Sequence, residues 1–258
     1  MDSTTDFKFT IEPIQIANGT GYVVRDDLLE GGTKQRAVVP FLKSLQESGY
    51  SEFVYASPFS GFAQVALACA IKHLDVKCTV FCEEVAPGKL HQFSRLAEES
   101  GATLFSCTDL ADAETKATSY CSGQPTRYKL PLGFDNPGYR AQLAEKVEQL
   151  WSGVQKQFSP KNLWLPLGSG TLAQTFRQIT DPDLSLHCVD VHVLKESDER
   201  IQRVRDLENC HYHSAELKFH NECSAPCPVP SNAYYDRKVY DVFVREASDG
   251  DVWWNVAR

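Results

Sequence analysis

Lys34 lies in the segment RDDLLEGGTKQRA (25–37), just after a Gly-Gly pair and in a place where the local pattern needs no lysine. A surface lysine needs no flexible turn before it. A lysine that must reach a buried electrophile needs such a turn. A lysine in a dry pocket has a lowered pKa and becomes a nucleophile for carbonyl compounds. We therefore take Lys34 as a candidate catalytic residue, with a solvated surface charge as the alternative.

A glycine-rich loop is the second candidate site. Gly168, Ser169, Gly170 and Thr171 separate a predicted strand from a predicted helix in LWLPLGSGTLAQTF (163–176). Glycines let backbone N–H groups approach an anion, and the helix N-terminus adds a favourable dipole. The loop is not a Walker A loop, because the Lys-Ser/Thr pair is absent. It predicts a phosphate-binding turn, here named the phosphate-type corner, and the alternative is an ordinary tight turn.

A second strand–turn–helix corner occurs in ASPFSGFAQVALACA (56–70). Ser57, Ser60 and Gly61 stand at the predicted helix start, where backbone N–H groups lack partners inside the helix. Such a turn can hold a carboxylate, so these residues are candidate substrate-binding residues, and a simple helix cap is the alternative. We name the turn at residues 57–62 the carboxylate-type corner.

The composition is that of a globular α/β chain of 258 residues with a net charge of −8. The acidic balance argues against non-specific binding to DNA or to anionic membranes. No signal peptide or membrane-spanning run is visible, and direct nucleic-acid binding is not expected. Nine scattered cysteines indicate reduced, mostly buried thiols and a cytoplasmic protein.

Apolar segments alternate with amphipathic ones along the chain, and this predicts a mostly parallel sheet with helices on both faces. The region 206–232 breaks the alternation and is expected to be irregular, and Pro40 predicts a late start or a kink in the first helix. The predicted strands are 21–27, 51–57, 77–84, 102–108, 161–170 and 185–193. The predicted helices are 33–49, 61–75, 88–101, 139–158, 171–179 and 196–209.

All three corners follow strands, which we expect to belong to one sheet. In open α/β sheets, ligands gather at the carboxyl ends of the strands. A lysine, a phosphate-type corner and a carboxylate-type corner at that edge would suit a phosphorylated aldehyde that binds an amino acid. Pyridoxal 5'-phosphate is such an aldehyde.

The segment RDDLLEGGTKQRA resembles the Schiff-base lysine segment of the fold type II (tryptophan-synthase-β-like) pyridoxal-phosphate enzymes. The resemblance is greatest to the aminocyclopropane-carboxylate deaminase, D-cysteine desulfhydrase and threonine synthase branches. SGFAQVALA is similar to their substrate-carboxylate loop, and LPLGSGTLA to their phosphate loop. Further similar stretches are KLPLGFDNP (129–137), NAYYDRKVYDVF (232–243) and VWWNVAR (252–258), so the resemblance spans roughly residues 20–258.

The resemblance implies a compact two-lobed enzyme, often a homodimer in this family. The larger, cofactor-binding lobe would comprise 1–50 and 130–258, and the smaller lobe, with the substrate loop, 51–129. Lys34 would form the Schiff base and later act as general base. The phosphate-type corner would hold the phosphate, while Ser57, Ser60, Gly61 and Gln64 would face the substrate carboxylate.

Two positions depart from the family pattern. Phe62 replaces an asparagine that normally bonds the phenolic oxygen of the cofactor, and Val256 replaces a threonine or serine that normally bonds the pyridine nitrogen. An apolar residue there would weaken the electron sink, although Asn255 is a candidate substitute. Tyr234 and Tyr235, with Asp236, are candidates to line the mouth of the site, and a tyrosine hydroxyl there could act as an acid.

The stretch CHYHSAELKFHNECSAPC (210–227) contains several potential zinc ligands. The candidates are Cys210, His211, His213, His220, Cys223 and Cys227. Their spacing fits no standard zinc finger, because no close C-x-x-C pair is present. We therefore predict no metal site and expect a surface strand with incidental histidines and buried cysteines.

The leading hypothesis is a pyridoxal-phosphate-dependent lyase or deaminase that acts on an amino acid or an amino-acid-like group. One alternative is a decarboxylase or lyase acting on an amino-acid-modified nucleobase in viral DNA hypermodification. Another is a degenerate, non-catalytic cofactor-binding protein, as Phe62 and Val256 suggest. A nucleotide-binding protein that uses the phosphate-type corner is a further alternative, which the missing Walker patterns disfavour.

Overall fold

The computed structural model describes residues 10–258 of the chain. Residues 1–9 lie outside the described residues, and with them most of the polar segment on which the prediction of no signal peptide depends. None of the helices in the described part of the chain is long and apolar enough to cross a membrane.

The described strands form two sheets, one of six strands in the order β1-β2-β10-β7-β8-β9 and one of four in the order β5-β4-β3-β6. Neighbouring strands are parallel except β1 and β2, which are antiparallel. The strands are Ile11–Ile16 (β1), Gly19–Arg25 (β2), Glu52–Ser57 (β3), Lys77–Glu83 (β4), Thr103–Cys107 (β5), Arg127–Leu130 (β6), Asn162–Leu167 (β7), Ser185–Asp190 (β8), Cys210–Ser214 (β9) and Val252–Asn255 (β10). The predicted α/β class with mostly parallel strands is therefore confirmed.

Eight α-helices occur within residues 10–258. They are Gln35–Glu47 (α1), Ala63–Ile71 (α2), Gln92–Glu99 (α3), Leu110–Cys121 (α4), Pro137–Phe158 (α5), Thr171–Ile179 (α6), Glu199–Arg205 (α7) and Asp236–Glu246 (α8). Pro40 lies inside α1. The helix begins at Gln35, directly after a single 3₁₀ turn at Gly32–Lys34, so Pro40 does not delay its start.

The expectation that all three corners follow strands of one sheet was wrong. Lys34 follows β2 and the phosphate-type corner follows β7, both in the six-stranded sheet, but the carboxylate-type corner follows β3 in the four-stranded sheet. Alternation of apolar segments does not reveal which strands share hydrogen bonds. The boundaries of the two predicted lobes stay a prediction; the four-stranded sheet is built from residues 52–130.

Successive strand residues point to opposite sides of the six-stranded sheet. Its strands carry apolar residues on both sides, so helices cover both faces. Val23 and Trp253 pack with Phe243 of α8 in one apolar cluster. Trp254, one position further along β10, faces the other side and lies 4.8 Å from the Phe176 ring of α6. The central strands are buried on both faces, and their near-continuous apolar runs follow from that position.

Helix α2 is fully buried, and its four alanines and one cysteine allow a close approach to its neighbours. A Cβ atom added at Gly31 would lie 3.1 Å from the Ala66 Cα. The turn before Lys34 therefore packs directly on α2, and this contact brings the corners of the two sheets together.

The prediction of an irregular region at 206–232 was wrong for residues 210–214. These form β9, which pairs in parallel with β8 at the edge of the larger sheet. An edge strand with one exposed side carries polar residues, so its pattern is weaker than that of a central strand. Four further elements, β1, α4, β6 and α8, had not been assigned from the sequence.

Candidate functional site

A cavity lies where the three corners meet between the two sheets. Its lining comprises Gly31, Thr33, Lys34, Tyr55, Pro58, Gly61, Phe62, Ala63, Leu132, Gly133, Tyr139, Leu143, Pro166, Gly168, Ser169, Gly170, Thr171, Leu172, Val193, Tyr235, Val256 and Ala257. Each of the three sequence-predicted corners contributes residues to it. We refer to it below as the cavity.

Backbone geometry positions Lys34 at the cavity wall. Gly32 has a φ of +62°, and a Cβ atom there would lie 2.2 Å from the Val256 carbonyl oxygen. The same oxygen accepts a hydrogen bond of 2.9 Å from the Thr33 N–H. Only glycine tolerates both the left-handed conformation and this close contact. The Gly-Gly pair thus serves to seat the lysine turn against the end of β10.

The Lys34 amine is set up to lose its proton readily. Desolvation lowers its pKa to about 8, while the charge of Asp236 acts in the opposite direction. Among residues 10–258, no hydrogen-bond acceptor or carboxylate is paired with the Lys34 Nζ. The Lys34 backbone carbonyl accepts from the Tyr139 hydroxyl at 3.5 Å. An unpaired, desolvated amine has the properties of a nucleophile or a general base.

Asp236 lies behind the wall, not in the lining. One carboxylate oxygen accepts from the Val256 N–H at 2.7 Å and the other from the Ala257 N–H at 3.2 Å. Burial raises the pKa of the Asp236 carboxyl well above its usual range, and the two backbone donors oppose that shift. Asp236 thus fixes the end of β10, which forms the wall next to Lys34.

Buried ion pairs support the lysine turn from below. Asp26 accepts from the Arg36 Nε at 2.9 Å and from the Trp254 Nε1 at 2.9 Å. The Trp254 Nε1 also lies 3.0 Å from the Thr33 Oγ1, next to Lys34. Asp26, at the start of the acidic run before the Gly-Gly pair, is therefore internal support, and the part that Arg36 takes in it was not predicted. The available signal was that Arg36 stands two residues after Lys34 and is followed by the apolar residues Ala37 and Val38.

The phosphate-type corner has the features of an anion cradle. Gly170 has a φ of +80°, and α6 begins at the next residue. Within the described residues, the N–H groups of Gly168, Ser169 and Gly170 donate to no protein acceptor. The Ser169 and Thr171 hydroxyls lie 2.9 Å apart and both belong to the lining. Unpaired donors at a helix N-terminus favour a bound anion.

A glycine on the opposite wall keeps this cradle open. Gly133 has a φ of +68°, and a Cβ atom there would lie 2.0 Å from the Ser169 Oγ. The Gly133 carbonyl oxygen accepts from the Thr171 Oγ1 at 3.3 Å. Gly133 lies in KLPLGFDNP, one of the segments that resemble the family, and its part in the cradle was not predicted. The space, the free N–H groups and the nearby Lys34 together fit a phosphorylated aldehyde.

The carboxylate-type corner meets the cavity mainly through its backbone and Phe62. The Phe62 and Ala63 N–H groups have no protein acceptor among residues 10–258, and both residues line the cavity with Gly61 and Pro58. The Phe62 ring is edge-on to Phe93 at 5.2 Å. This corner can therefore receive a carboxylate through N–H groups beside an apolar ring.

The three other predicted substrate contacts lie outside the lining. The Ser57 hydroxyl donates to the Pro58 carbonyl oxygen at 3.0 Å. Gln64 donates from its amide to the Phe59 carbonyl oxygen at 3.4 Å. The Ser60 hydroxyl is buried without a protein partner in the described chain. The Ser57 and Gln64 side chains thus stabilise the turn from inside, and the backbone of the turn faces the cavity.

The two predicted tyrosines lie in different surroundings. Tyr235 lines the cavity, and its ring lies 3.3 Å from a Cβ atom placed at Gly168. Tyr234 lies outside the lining, where its hydroxyl donates to Glu222 at 2.7 Å and lies 3.1 Å from the His91 Nε2.

Asn255 also lies outside the lining. Its amide nitrogen donates to Asp27 at 2.9 Å and to the Pro230 carbonyl oxygen at 2.8 Å. Val256 does line the cavity, and its N–H and carbonyl groups are engaged by Asp236 and Thr33. The position that carries Val256 thus presents an apolar side chain and no free backbone donor.

The Cys/His stretch is spread over β9 and the segment after it. Among the described residues, no group of three or more His, Cys, Asp or Glu side chains is arranged to hold a metal ion. Histidines 211 and 213 stack with His187 on the sheet edge, at ring distances of 4.7 and 5.1 Å.

No protein-family model and no curated protein matches the chain. Its structure is similar to that of an ACC deaminase homologue, with a TM-score of 0.79 at 14% identity over 97% of this chain and 89% of that one. An O-acetylserine-dependent cystathionine β-synthase from Helicobacter pylori has a TM-score of 0.71 at 15% identity, over 97% and 93%. A pyridoxal 5'-phosphate-dependent aspartate racemase has 0.69 at 13%, over 96% and 89%. The chain therefore has the fold of the fold type II pyridoxal-phosphate enzymes, as its sequence resemblance predicted.

Proposed function

We propose that the protein is a pyridoxal 5'-phosphate-dependent lyase or deaminase that acts on an amino acid or an amino-acid-like group by elimination or replacement. One observation carries the proposal. The desolvated Lys34 amine and the unpaired N–H groups of the phosphate-type corner line the same cavity. An amine nucleophile and an anion cradle in one cavity suit one ligand with an aldehyde and a phosphate.

Two sets of residues would hold the cofactor. Gly168, Ser169, Gly170 and Thr171 would bind its phosphate through N–H groups and hydroxyls. Lys34 would bind its aldehyde. When bound, pyridoxal phosphate supplies a conjugated ring that accepts the electron pair of a bond broken at the substrate α-carbon.

The chain's own residues would then orient the substrate and move its proton. The Phe62 and Ala63 N–H groups would receive the α-carboxylate, since they lack other acceptors. The Lys34 Nζ would take the proton from the substrate α-carbon, because an amine with a pKa of about 8 can accept and return a proton near neutral pH. The apolar Phe62 and Val256 side chains would help to exclude water from the reacting bond.

A second candidate is a non-catalytic pyridoxal phosphate-binding protein. Val256 favours it, because this lining residue offers no hydroxyl where the resembled family has one. The nucleobase-adduct alternative has no comparable support, since Lys34 is the only cationic side chain in the cavity lining formed by residues 10–258.

We also propose a homodimer, by analogy with the fold alone. We further propose a cytoplasmic location, since all nine cysteines are free thiols and six of them are buried.

Reconstitution with pyridoxal phosphate tests the proposed function. We expect a visible absorbance band and, after borohydride reduction and peptide mass mapping, the cofactor attached to Lys34. Lys238 is an internal control, because burial lowers its pKa to about 8 as well. Its Nζ, however, donates to the Lys218 carbonyl oxygen at 2.8 Å and lies outside the cavity. Attachment to Lys238 or to no lysine would refute the proposal.

A further inference from the structure

The cavity wall formed by residues 10–258 has almost no charge. Among these lining residues, Lys34 alone has an acidic or basic side chain; the rest are glycines, hydroxyl residues, aromatic residues and aliphatic residues. The side chains of Phe62, Leu132, Leu143 and Val193 form much of the apolar surface.

Charged groups just behind the wall are already paired. Both Asp236 oxygens accept backbone N–H groups. Arg36 is bonded to Asp26, with both side chains almost fully buried. Glu114 and Arg200 are charges that act on the wall residue Tyr55 from outside. Glu114 is paired with Lys129, and Arg200 forms two hydrogen bonds with Asp198. None of these groups is free to neutralise an additional charge inside the cavity.

We propose that the substrate is an amino acid whose side chain carries no net charge. This inference rests on the proposed function. The phosphate and the α-carboxylate each have unpaired N–H donors, and the Lys34 amine is reserved for the aldehyde. A side-chain carboxylate or ammonium would lose its hydration without gaining an ionic partner, and such burial is strongly unfavourable.

The fold itself does not decide the charge of the substrate. The aspartate racemase described above has the same fold, and its name specifies an acidic amino acid. Substrate charge therefore depends on the side chains at the wall, which differ between proteins of one fold. In this chain those side chains favour a neutral group, either apolar or with a hydroxyl.

Four ligands of equal chain length test the inference on the cofactor-loaded protein. They are racemic 2-aminobutyrate, homoserine, aspartate and 2,4-diaminobutyrate, so that either stereochemical preference is covered. The change in visible absorbance on titration gives each Kd. We expect 2-aminobutyrate or homoserine to bind, and aspartate and diaminobutyrate to bind roughly 100-fold more weakly.

The outcomes separate this inference from the proposed function. Absence of a Lys34-attached cofactor refutes the proposed function before any ligand is added. With the cofactor in place, discrimination of less than about tenfold against either charged ligand overturns the inference, as does failure of both neutral ligands to bind.

Phe62→Arg provides a second test that adds a cation at the wall. We expect the affinity for aspartate relative to 2-aminobutyrate to rise by about tenfold or more, whereas Phe62→Leu leaves the ratio unchanged. Visible absorbance of each loaded variant checks that the fold and the cofactor site are intact. If that ratio stays the same in a loaded Phe62→Arg variant, wall charge does not govern selection and the inference is wrong.

Discussion

The phosphate-type and carboxylate-type corners have the same design, a turn between a strand and a helix, yet they meet the cavity differently. At the phosphate-type corner the Ser169 and Thr171 hydroxyls face inward beside unpaired N–H groups. At the carboxylate-type corner the Ser57 and Ser60 hydroxyls are buried in the turn, and an apolar ring faces inward instead. Two similar sequence patterns can thus provide different chemistry.

Each corner also has its own tyrosine. Tyr235 packs against Gly168 of the phosphate-type corner. Tyr234 packs edge-on against Phe59 of the carboxylate-type corner at 5.8 Å. The difference suggests that hydroxyls matter for ligand binding at the first corner and for turn stability at the second.

The largest effect is expected at the lysine between the corners. Lys34→Ala should abolish attachment of pyridoxal phosphate and all turnover, because no other amine lines the cavity in the described residues. Reduction with borohydride and mass mapping measures the attachment. Lys238→Met is the matched control, and it should retain both properties if it folds. Normal activity in Lys34→Ala would contradict the mechanism.

The contrast between the corners is tested by two matched double variants. Ser169→Ala with Thr171→Ala should weaken pyridoxal phosphate binding by roughly 100-fold or more, since the variant removes two hydrogen bonds to a charged group and each contributes about 1.5–3 kcal/mol. Ser57→Ala with Ser60→Ala should change that affinity by less than about threefold. Equilibrium binding to the apoprotein gives both values. Equal losses in the two variants would show that the corners do not differ in this way.

Attachment of the cofactor should depend on pH through Lys34. Burial holds its pKa below the usual value, at about 8, so the reactive neutral amine predominates only above that pH. Below pH 8, the attachment rate should fall about tenfold for each pH unit, and above it the rate should level off. Stopped-flow absorbance at a constant concentration of pyridoxal phosphate measures the attachment rate at each pH. A midpoint near 10.5, the ordinary lysine value, would mean that Lys34 is solvated.

The smallest effects distinguish the two tyrosines. Tyr235 lines the cavity, so we expect its hydroxyl to reach the substrate; Tyr235→Phe should then lower kcat/KM by about tenfold through loss of one hydrogen bond. Tyr234→Phe removes the hydroxyl that contacts Glu222 and His91, so it should lower the free energy of unfolding by about 1–2 kcal/mol and leave kcat/KM within about twofold. Urea denaturation and steady-state kinetics separate these outcomes. The reverse result would assign the catalytic role to Tyr234.

Much of the fold was predictable because its central strands are long and apolar. The strand at 51–57 and the helix at 139–158 agree closely with β3 and α5. Strand β9 was expected only as a surface strand somewhere within 210–227, without bounds or a place in the sheet, since its histidines and cysteines lie on a half-exposed edge. The segment 232–243 resembles the family, but no helix was predicted there. It forms most of α8, which contains charged residues on its solvent side.

The candidate site was predictable in its turns and less so in its side chains. The sequence identified Lys34, Gly61 and the phosphate-type corner, which the structure brings together in one cavity. It could not indicate that Ser57 and Gln64 bond to carbonyl groups inside their own turn. Hydroxyl and amide side chains favour such local bonds, and rotamer choice depends on neighbours that are distant in the sequence.

The sequence by itself determined most of the central strands and helices and the glycine turns between them, because local periodicity and backbone permissiveness are properties of short segments. Tertiary structure alone decided which strands share a sheet and which polar groups were buried with partners. It also decided that the Lys34 amine is desolvated and unpaired beside an open anion cradle. Burial and hydrogen bonding depend on contacts between segments far apart in the chain, so the chemistry of this cavity arises only after the two sheets have packed together.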